Sequence, residues 1–191
     1  MKKRVYIIHG WGGHAEESWF PWLKGELEKR DFEVYVPQMP EPEFPRIQNW
    51  IPAIAKIVGT PDEQTYFVGH SMGNQAIARY LETLPAEVKI GGVVFVGGFF
   101  KSLSGLTEGE METRNHWLNA PIHFDKIKNH FFKSVAVFSD DDEFVPLENT
   151  EEFEREFNSE IIIEKNKGHL NGEAGIFELP IVLEKLLEIS G

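Results

Sequence analysis

The feature that most constrains the fold of this chain is its Gly-x-Ser-x-Gly motif at residues 69–73. A β-branched and aromatic run precedes the motif at residues 65–68 and predicts a buried strand. Apolar residues at helical spacing follow it and predict a helix over residues 74–81. A sharp strand-to-helix turn holds its serine in a strained conformation, and Gly69 and Gly73 leave the room that it needs. Ser71 is therefore a candidate nucleophile, with an ordinary glycine-rich turn as the alternative.

Strands and helices alternate along the rest of the chain. Apolar runs predict further strands at residues 4–8, 32–36, 90–96, 133–138 and 160–164. Periodic apolar positions predict helices at residues 18–30, 46–58, 147–157 and 177–189. Ser18 is expected to cap the first of these helices, and Pro52 to lie near the first turn of the second or to bend it. The segment 97–133 has scattered aromatic residues and no regular pattern.

This alternation implies a parallel sheet with helices on both of its faces. We predict an α/β fold with about six parallel strands, in a single domain spanning residues 1–191. No internal repeat, low-complexity segment or linker indicates a second domain.

The charge and composition exclude several classes of protein. The chain has 19 basic and 31 acidic residues, a net charge of −12, which argues against nucleic acid or an anionic membrane as a partner. It has no cysteine, so disulfides, zinc–thiolate sites and a cysteine nucleophile are excluded. The basic start is followed by an apolar run too short for a signal peptide, and no apolar stretch is long enough to span a membrane. We expect a cytoplasmic protein.

A serine, an acidic run and a histidine follow three of the predicted strands. Ser71 follows the third strand, residues 140–143 follow the fifth, and His169 follows the sixth. Because parallel strands end at one edge of a sheet, these residues are expected to meet there. The order Ser…Asp…His is that of α/β-hydrolases. Asp142 is preferred to Asp141 as the acid, and the rest of the acidic run is expected to be a solvated loop.

These residue types suit acyl transfer. A serine hydroxyl needs an adjacent base, for which His169 serves, and a carboxylate must hold the histidine in the correct tautomer. The negative oxygen of the intermediate needs preorganised donors. Met72 N–H is one candidate, because it follows the serine and begins a helix. Trp11 N–H, in the glycine-rich loop after the first strand, is the other, with Gly12 next in line.

Histidines and acidic residues elsewhere in the chain do not form a predicted metal site. His116, His123 and His130 recur every seven residues, but Pro121 interrupts any single helix, so a metal site there is disfavoured. The acidic run lacks the pattern of a calcium loop. We therefore expect no metal and no cofactor. The aromatic residues of segment 97–133 either line an acyl pocket or pack in the core: Phe99, Phe100, Trp117, Phe124, Phe131 and Phe132.

Several short segments resemble the small serine hydrolases of the YdeN and retinoblastoma-binding-protein type, in the α/β-hydrolase superfamily. They are residues 5–10, 19–24, 39–42, 69–73, 141–146 and 168–169. The resemblance implies a compact α/β-hydrolase fold without a large lid domain, and places the nucleophile, acid and base at Ser71, Asp142 and His169. It also implies weak carboxylesterase activity. The retinoblastoma-binding motif of the animal member contains cysteine, so that interaction is not carried over to this chain.

The sequence therefore predicts a serine hydrolase that cleaves a small-molecule carboxylic ester, or less favourably an amide or thioester, through an acyl-enzyme. A peptidase is the enzymatic alternative. A protein-interaction module that keeps the fold without catalysis is the alternative from another class. Substrate-binding residues, protein partners and oligomeric state stay open.

Overall fold

The computed structural model describes residues 2–191, in which strands and helices alternate. The strands are β1 (Arg4–Ile8), β2 (Glu33–Tyr35), β3 (Thr65–His70), β4 (Ile90–Val96), β5 (Phe131–Ser139) and β6 (Glu160–Glu164). The helices are α1 (Phe20–Glu28), α2 (Ile47–Val58), α3 (Met72–Glu82), α4 (Met111–Leu118), α5 (Phe124–Ile127), α6 (Thr150–Phe157) and α7 (Pro180–Ser190). Within residues 2–191 the strands form a six-stranded parallel sheet, in the order β2-β1-β3-β4-β5-β6.

Helices cover both faces of this sheet, which confirms the predicted α/β architecture. Side chains of α1 and α7 pack with one face, and those of α2 to α6 pack with the other. Strand β3 lies near the middle of the sheet and all of its residues are buried. Its C-terminal end, which leads into the Gly-x-Ser-x-Gly motif, is therefore held from both sides by neighbouring strands.

The first helix begins later than the sequence predicts. Helix α1 starts at Phe20 with Trp19 at its N-cap, so Ser18 does not cap it. Ser18 instead has a positive φ of 54°, and its Oγ accepts a hydrogen bond from Gly172 N–H at 2.9 Å. A serine before an apolar periodic segment is typical of a helix cap, but this one holds a loop 154 residues away in sequence.

Pro52 does not lie in the first turn of its helix, one of its two predicted roles, and a bend of the helix at this residue stays a prediction. It is in the interior of α2, whose Trp50, Ile51 and Ile54 are buried. Proline there removes one backbone hydrogen bond of the helix, and the packing of this apolar face offsets that loss. Helix α2 has 12 residues, and across residues 2–191 no helix is long and apolar enough to cross a membrane.

The segment 97–133 contains the short helices α4 and α5, which have little amphipathic pattern. Arg79 of α3, which is buried, organises this segment. Its guanidinium donates hydrogen bonds to the carbonyls of Trp117, Ala120 and Pro121 at 2.8, 3.0 and 2.9 Å. A cation is favourable at the C-terminal end of a helix such as α4. The end of α4 and the turn that follows it are therefore held by a tertiary contact that local periodicity does not reveal.

Candidate active site

Ser71 lies in a strained turn between β3 and α3. Its φ is +50° and its ψ is −119°, a region that residues other than glycine rarely adopt. A Cβ at Gly73 would lie 2.2 Å from the Ile8 carbonyl oxygen, and one at Gly69 would lie 2.9 Å from the Asn74 nitrogen. Both glycines of the motif are therefore required for the close approach of the turn to its neighbours.

Asn74 holds this turn, a role that the sequence reasoning missed. Its side-chain Nδ2 donates hydrogen bonds to the carbonyls of Ser71 and Val96 at 3.0 and 2.8 Å. The Ser71 N–H donates to the same Val96 carbonyl at 2.9 Å, and Asn74 N–H donates to the Ser71 carbonyl at 3.1 Å. Asn74 is fully buried. The serine is thus fixed between α3 and the end of β4.

His169 and Asp142 meet at the same edge of the sheet. The His169 Nδ1–H donates a hydrogen bond of 2.8 Å to Asp142 Oδ2. The other carboxylate oxygen, Oδ1, accepts from the N–H groups of Phe144 and Val145 at 2.9 and 3.0 Å. The side chains are 11% and 2% exposed, respectively. Asp142, rather than Asp141, therefore lies against the imidazole and accepts from its Nδ1–H.

Residues 139–142, here called the carboxylate side, hold the loop that carries His169. We call that loop, residues 166–172, the histidine loop. Besides Asp142, three residues of the carboxylate side accept hydrogen bonds from the backbone of the histidine loop. Ser139 Oγ accepts from Lys167 N–H at 3.0 Å, and Asp140 Oδ1 accepts from Asn166 N–H at 2.9 Å. Asp141 Oδ1 accepts from Gly168 N–H at 2.8 Å. The hydrogen bond from the Ser139 hydroxyl and that from Gly168 N–H lower the pKa of Asp141. The acidic run is therefore a set of hydrogen-bond acceptors and not merely a solvated loop.

Ser18, Trp19 and His70, here called the buried side, hold the opposite flank of the histidine loop. The His70 Nε2–H donates to the His169 carbonyl at 2.9 Å, and the Trp19 indole N–H donates to the Leu170 carbonyl at 2.8 Å. Ser18 accepts from Gly172 N–H, as described above. Leu170 has a positive φ of 54°. Donors from two other elements thus fix a strained stretch of backbone next to His169.

The loop after β1 approaches Ser71 from the other direction. A Cβ at Gly10 would lie 3.0 Å from Ser71 Cβ. Gly12 N–H donates to the Pro42 carbonyl at 2.8 Å, so it is already occupied. Among residues 2–191, neither Trp11 N–H nor Met72 N–H donates a backbone hydrogen bond other than those within helices and strands. Met72 is the first residue of α3. Both residues line a cavity with Ser71.

His9 fixes the conformation of this loop. Its Nε2 accepts a hydrogen bond from Met39 N–H at 3.0 Å, and its Nδ1–H donates to the Gly10 carbonyl at 2.8 Å. The ring is fully buried, and burial lowers the pKa of His9. The imidazole is therefore neutral and serves as a fixed link between two loops.

Among the described residues, two cavities adjoin both Ser71 and His169. The larger, of about 670 Å³, is polar and is bordered by residues 10–14 and 16–18 and by Glu43, Asn171 and Glu173. The smaller, of about 250 Å³, has an apolar wall formed by Met72, Phe99, Leu103, Leu106 and Phe144. In the part of the chain that the structure describes, no direct hydrogen bond joins Ser71 Oγ to His169. Such contacts are often long in free enzymes.

Of the aromatic residues in segment 97–133, Phe99 lines the smaller cavity. Trp117, Phe131 and Phe124 pack in or against the core, as does Phe100, while Phe132 is 66% exposed. The apolar wall is instead completed by Leu103, Leu106 and Phe144. These residues lie in irregular loops, where a sequence pattern carries no signal for burial.

The three regularly spaced histidines lie in separate environments. His116 Nε2 accepts from Ile47 N–H at 3.1 Å, His123 pairs with Glu82, and His130 Nδ1–H donates to the Val88 carbonyl at 2.8 Å. Residues 2–191 contain no group of three or more histidine, aspartate or glutamate side chains placed to hold a metal ion.

Comparison with known proteins gives consistent matches over nearly the whole chain. Residues 5–188 match the profile of the family described as serine hydrolase. The chain is 32% identical to the hydrolase YdeN of Bacillus subtilis over 97% of this chain and 95% of that protein. It is 26% identical to the serine hydrolase RBBP9 of Rattus norvegicus, over 87% and 86% of the two chains.

Solved structures give the same result. The crystal structure of the B. subtilis ydeN gene product superposes with a TM-score of 0.90, at 30% identity and with 98% of each chain covered. Est1E of Butyrivibrio proteoclasticus shares the fold, with a TM-score of 0.74 at 16% identity, covering 98% of this chain and 88% of that one. The chain therefore belongs to the serine hydrolase family and is a hydrolase enzyme.

Proposed function

We propose that this enzyme cleaves small-molecule carboxylic esters through an acyl-enzyme on Ser71, with His169 as base and Asp142 as the acid that orients it. The observation that carries the proposal is the 2.8 Å bond from His169 Nδ1–H to the buried Asp142 carboxylate, beside cavities that Ser71 also lines. That bond leaves His169 Nε2 free to accept a proton, which is the tautomer that a general base needs. The proposal treats residues 1–191 as one catalytic domain.

Acylation begins with attack of Ser71 Oγ on the ester carbonyl carbon while the hydroxyl proton moves to His169 Nε2. The carbonyl oxygen becomes negative, and the N–H groups of Trp11 and Met72 are its proposed donors. The positive end of the α3 dipole also favours this charge. The ester C–O bond then breaks, and the leaving alkoxide takes the proton from His169 as an alcohol.

Deacylation reverses the same proton path with water in place of the alcohol. His169 Nε2 removes a proton from water, and the resulting hydroxide attacks the acyl carbon on Ser71. The bond from the acyl carbon to Ser71 Oγ breaks, and the serine recovers its proton from His169. A carboxylic acid leaves and the free enzyme is restored.

Covalent labelling tests the nucleophile. A fluorophosphonate probe should label the wild-type protein at Ser71, and Ser71→Ala should abolish both the label and ester turnover without changing the melting temperature. Ser190→Ala is a matched control, because this hydroxyl donates to the Leu187 carbonyl in α7, away from the site. Wild-type protein that turns over esters but carries the label elsewhere would refute the assignment of Ser71.

The smaller cavity is the proposed acyl site. Its volume of about 250 Å³ and its apolar wall suit a short acyl chain. On a panel of aryl esters from acetyl to dodecanoyl, kcat/KM should rise about fourfold per methylene while the chain still enters the cavity, which corresponds to ~0.8 kcal/mol per buried methylene. Leu106→Ala should move the optimum to a longer chain.

Aminoacyl anilides, tested in parallel, should be turned over much more slowly than esters, and the reverse ranking would indicate a peptidase.

The charge of the cleft disfavours anionic substrates. Glu43 and Glu173 border both cavities, and no lysine or arginine among the described residues lines either of them. A carboxylate on the substrate would therefore be repelled at low ionic strength. A hemisuccinate ester should have a lower kcat/KM than a neutral ester of similar size, and added salt should narrow the difference. A salt-independent difference would assign the discrimination to shape instead.

A further inference from the structure

His70, the variable residue inside the Gly-x-Ser-x-Gly motif, lies against three parts of the candidate site. It directly precedes Ser71 in the chain, and its ring centroid lies 4.9 Å from that of His169. A Cβ at Gly10, in the loop that carries Trp11, would lie 3.5 Å from His70 Nδ1. One side chain thus touches the serine turn, the histidine loop and the loop after β1.

The hydrogen bond of His70 determines which of its nitrogens carries the proton. Its Nε2 lies 2.9 Å from the His169 carbonyl oxygen, which can only accept, so Nε2 is protonated and donates. The ring is 4% exposed and packs edge-on against Trp19 and Phe20, with centroid distances of 6.2 and 6.1 Å. Burial beside a second histidine lowers the pKa of His70 to about 3. The imidazole is therefore a neutral donor with a fixed orientation.

This hydrogen bond acts on the backbone of the proposed base. The carbonyl that His70 binds belongs to His169 itself, and the next residue, Leu170, has a positive φ of 54°. Without the bond, a partly buried carbonyl would lose its partner at the point where the loop is strained. The His169 ring also depends on its backbone for alignment with Asp142 and Ser71, and an error of about 1 Å in such alignment can cost ~100-fold in rate.

We propose that His70 is a positioning residue, which holds the His169 backbone through its Nε2–H so that the His169 ring spans Asp142 and Ser71. The expected effect on kcat rests on the proposed function, in which His169 is the base. Its structural content, the alignment of His169 with Asp142, can be measured without any substrate.

The test compares two substitutions that separate the donor from the ring. His70→Gln keeps an N–H donor near the Nε2 position, and His70→Phe keeps a planar ring without a donor. For a short aryl ester, His70→Phe should lower kcat about 30-fold with KM changed less than about twofold, because binding of the substrate does not use this bond. His70→Gln should recover kcat to within about fivefold of wild type.

Proton NMR supplies the second readout. The His169 Nδ1–H bonded to Asp142 should give a low-field resonance, assigned by its loss in His169→Gln. This resonance should persist in His70→Gln and shift or disappear in His70→Phe. It reports positioning even if the wild-type enzyme turns over no ester, so failure of the proposed function and failure of this inference are distinguishable.

A distant buried histidine provides a matched control. His130 is also buried and also bonds a backbone carbonyl, that of Val88, but it directly precedes β5, at the opposite end of the sheet. His130→Phe should leave kcat and the low-field resonance unchanged. If His70→Phe does not fold, His70→Leu replaces it as the variant without a donor. Wild-type kcat and an unshifted resonance in that variant, or an equal loss of kcat in His70→Gln, would overturn the proposal.

Discussion

The histidine loop is held on its two flanks by different chemistry. On the carboxylate side, the acceptors include Asp140 and Asp141, which are exposed to water. On the buried side, Trp19 and His70 are neutral donors that are at most 4% exposed. Water can replace a lost hydrogen bond at the surface, whereas a buried carbonyl that loses its donor costs about 1–3 kcal/mol. We therefore expect the buried side to contribute more to the stability and alignment of the loop.

Asp142 is the exception on the carboxylate side, and its substitution should have the largest effect. Asp142→Asn keeps an oxygen for the N–H groups of Phe144 and Val145, so the free energy of unfolding should change little. The amide cannot stabilise the imidazolium and favours the wrong tautomer of His169, so kcat should fall by about 10⁴. Ester turnover and urea unfolding measure the two quantities. Asp140→Asn, whose side chain contacts only the loop backbone, should retain kcat within about twofold. A small loss in Asp142→Asn would remove Asp142 from the proposed mechanism.

Trp19→Phe should give the next largest effect, on the buried side. The substitution removes the indole N–H that binds the Leu170 carbonyl and opens a small cavity in the core. We expect a loss of about 2–3 kcal/mol in the free energy of unfolding, because an unsatisfied carbonyl and lost packing both contribute. Trp22→Phe, at a partly buried position of the same helix, is the matched control and should cost less. Equal losses would show that the hydrogen bond to the loop adds nothing beyond ring volume.

The sequence predicts one flank of the loop better than the other. The acidic run and the Gly-His pair stand next to strands, so their meeting at one sheet edge follows from parallel topology alone. Ser18 and Trp19 carry no such signal, because a serine and an aromatic residue before a helix suggest a cap and a core position. His70 ends β3, but nothing in the sequence indicates its bond to the His169 carbonyl. Their donor and acceptor roles depend on the path of residues 169–172, which only tertiary packing determines.

The same reasoning explains the outcome for the cavity walls. The number of strands and their parallel arrangement are predictable from apolar runs that alternate with helices, and the structure confirms this sheet. Leu103, Leu106 and Phe144 lie in loops, where neither a period of 2 nor one of 3.6 residues applies. Residues that shape the proposed acyl site are thus the part of the molecule that the sequence pattern leaves open.

The pH dependence of the free energy of unfolding tests the buried side, because it depends on the pKa of His70. Burial lowers this pKa to about 3 from an ordinary value of 6.5. As the pH falls below 6.5, the unfolded state binds the proton first, so stability falls, by about 2 kcal/mol at pH 5 from this group alone. His70→Gln lacks this contribution.

Urea unfolding at pH 7 and pH 5 should therefore show a larger loss in wild type than in His70→Gln. The groups that face His70 are His169 and Asp142 from their loops and His9 from the end of β1. They are present in both proteins, so their own titrations largely cancel in the difference. An identical pH dependence in the two proteins would mean that the His70 site is open to water, contrary to its 4% exposure.

The smallest effect is expected for Asp141 on the carboxylate side. Its carboxylate accepts from Gly168 N–H and from the Ser139 hydroxyl, and these bonds lower its pKa. A lowered pKa stabilises the fold at pH values above 3.8, the ordinary value, and this contribution disappears as the pH falls further. Asp141→Asn should be slightly less stable than wild type at pH 7, with kcat changed less than about twofold, because the amide oxygen still accepts and the site is exposed. The difference in urea midpoint should shrink as the pH falls below 3.8. A loss of stability as large as that of Trp19→Phe would reverse the ranking of the two flanks and make the carboxylates the principal support of His169.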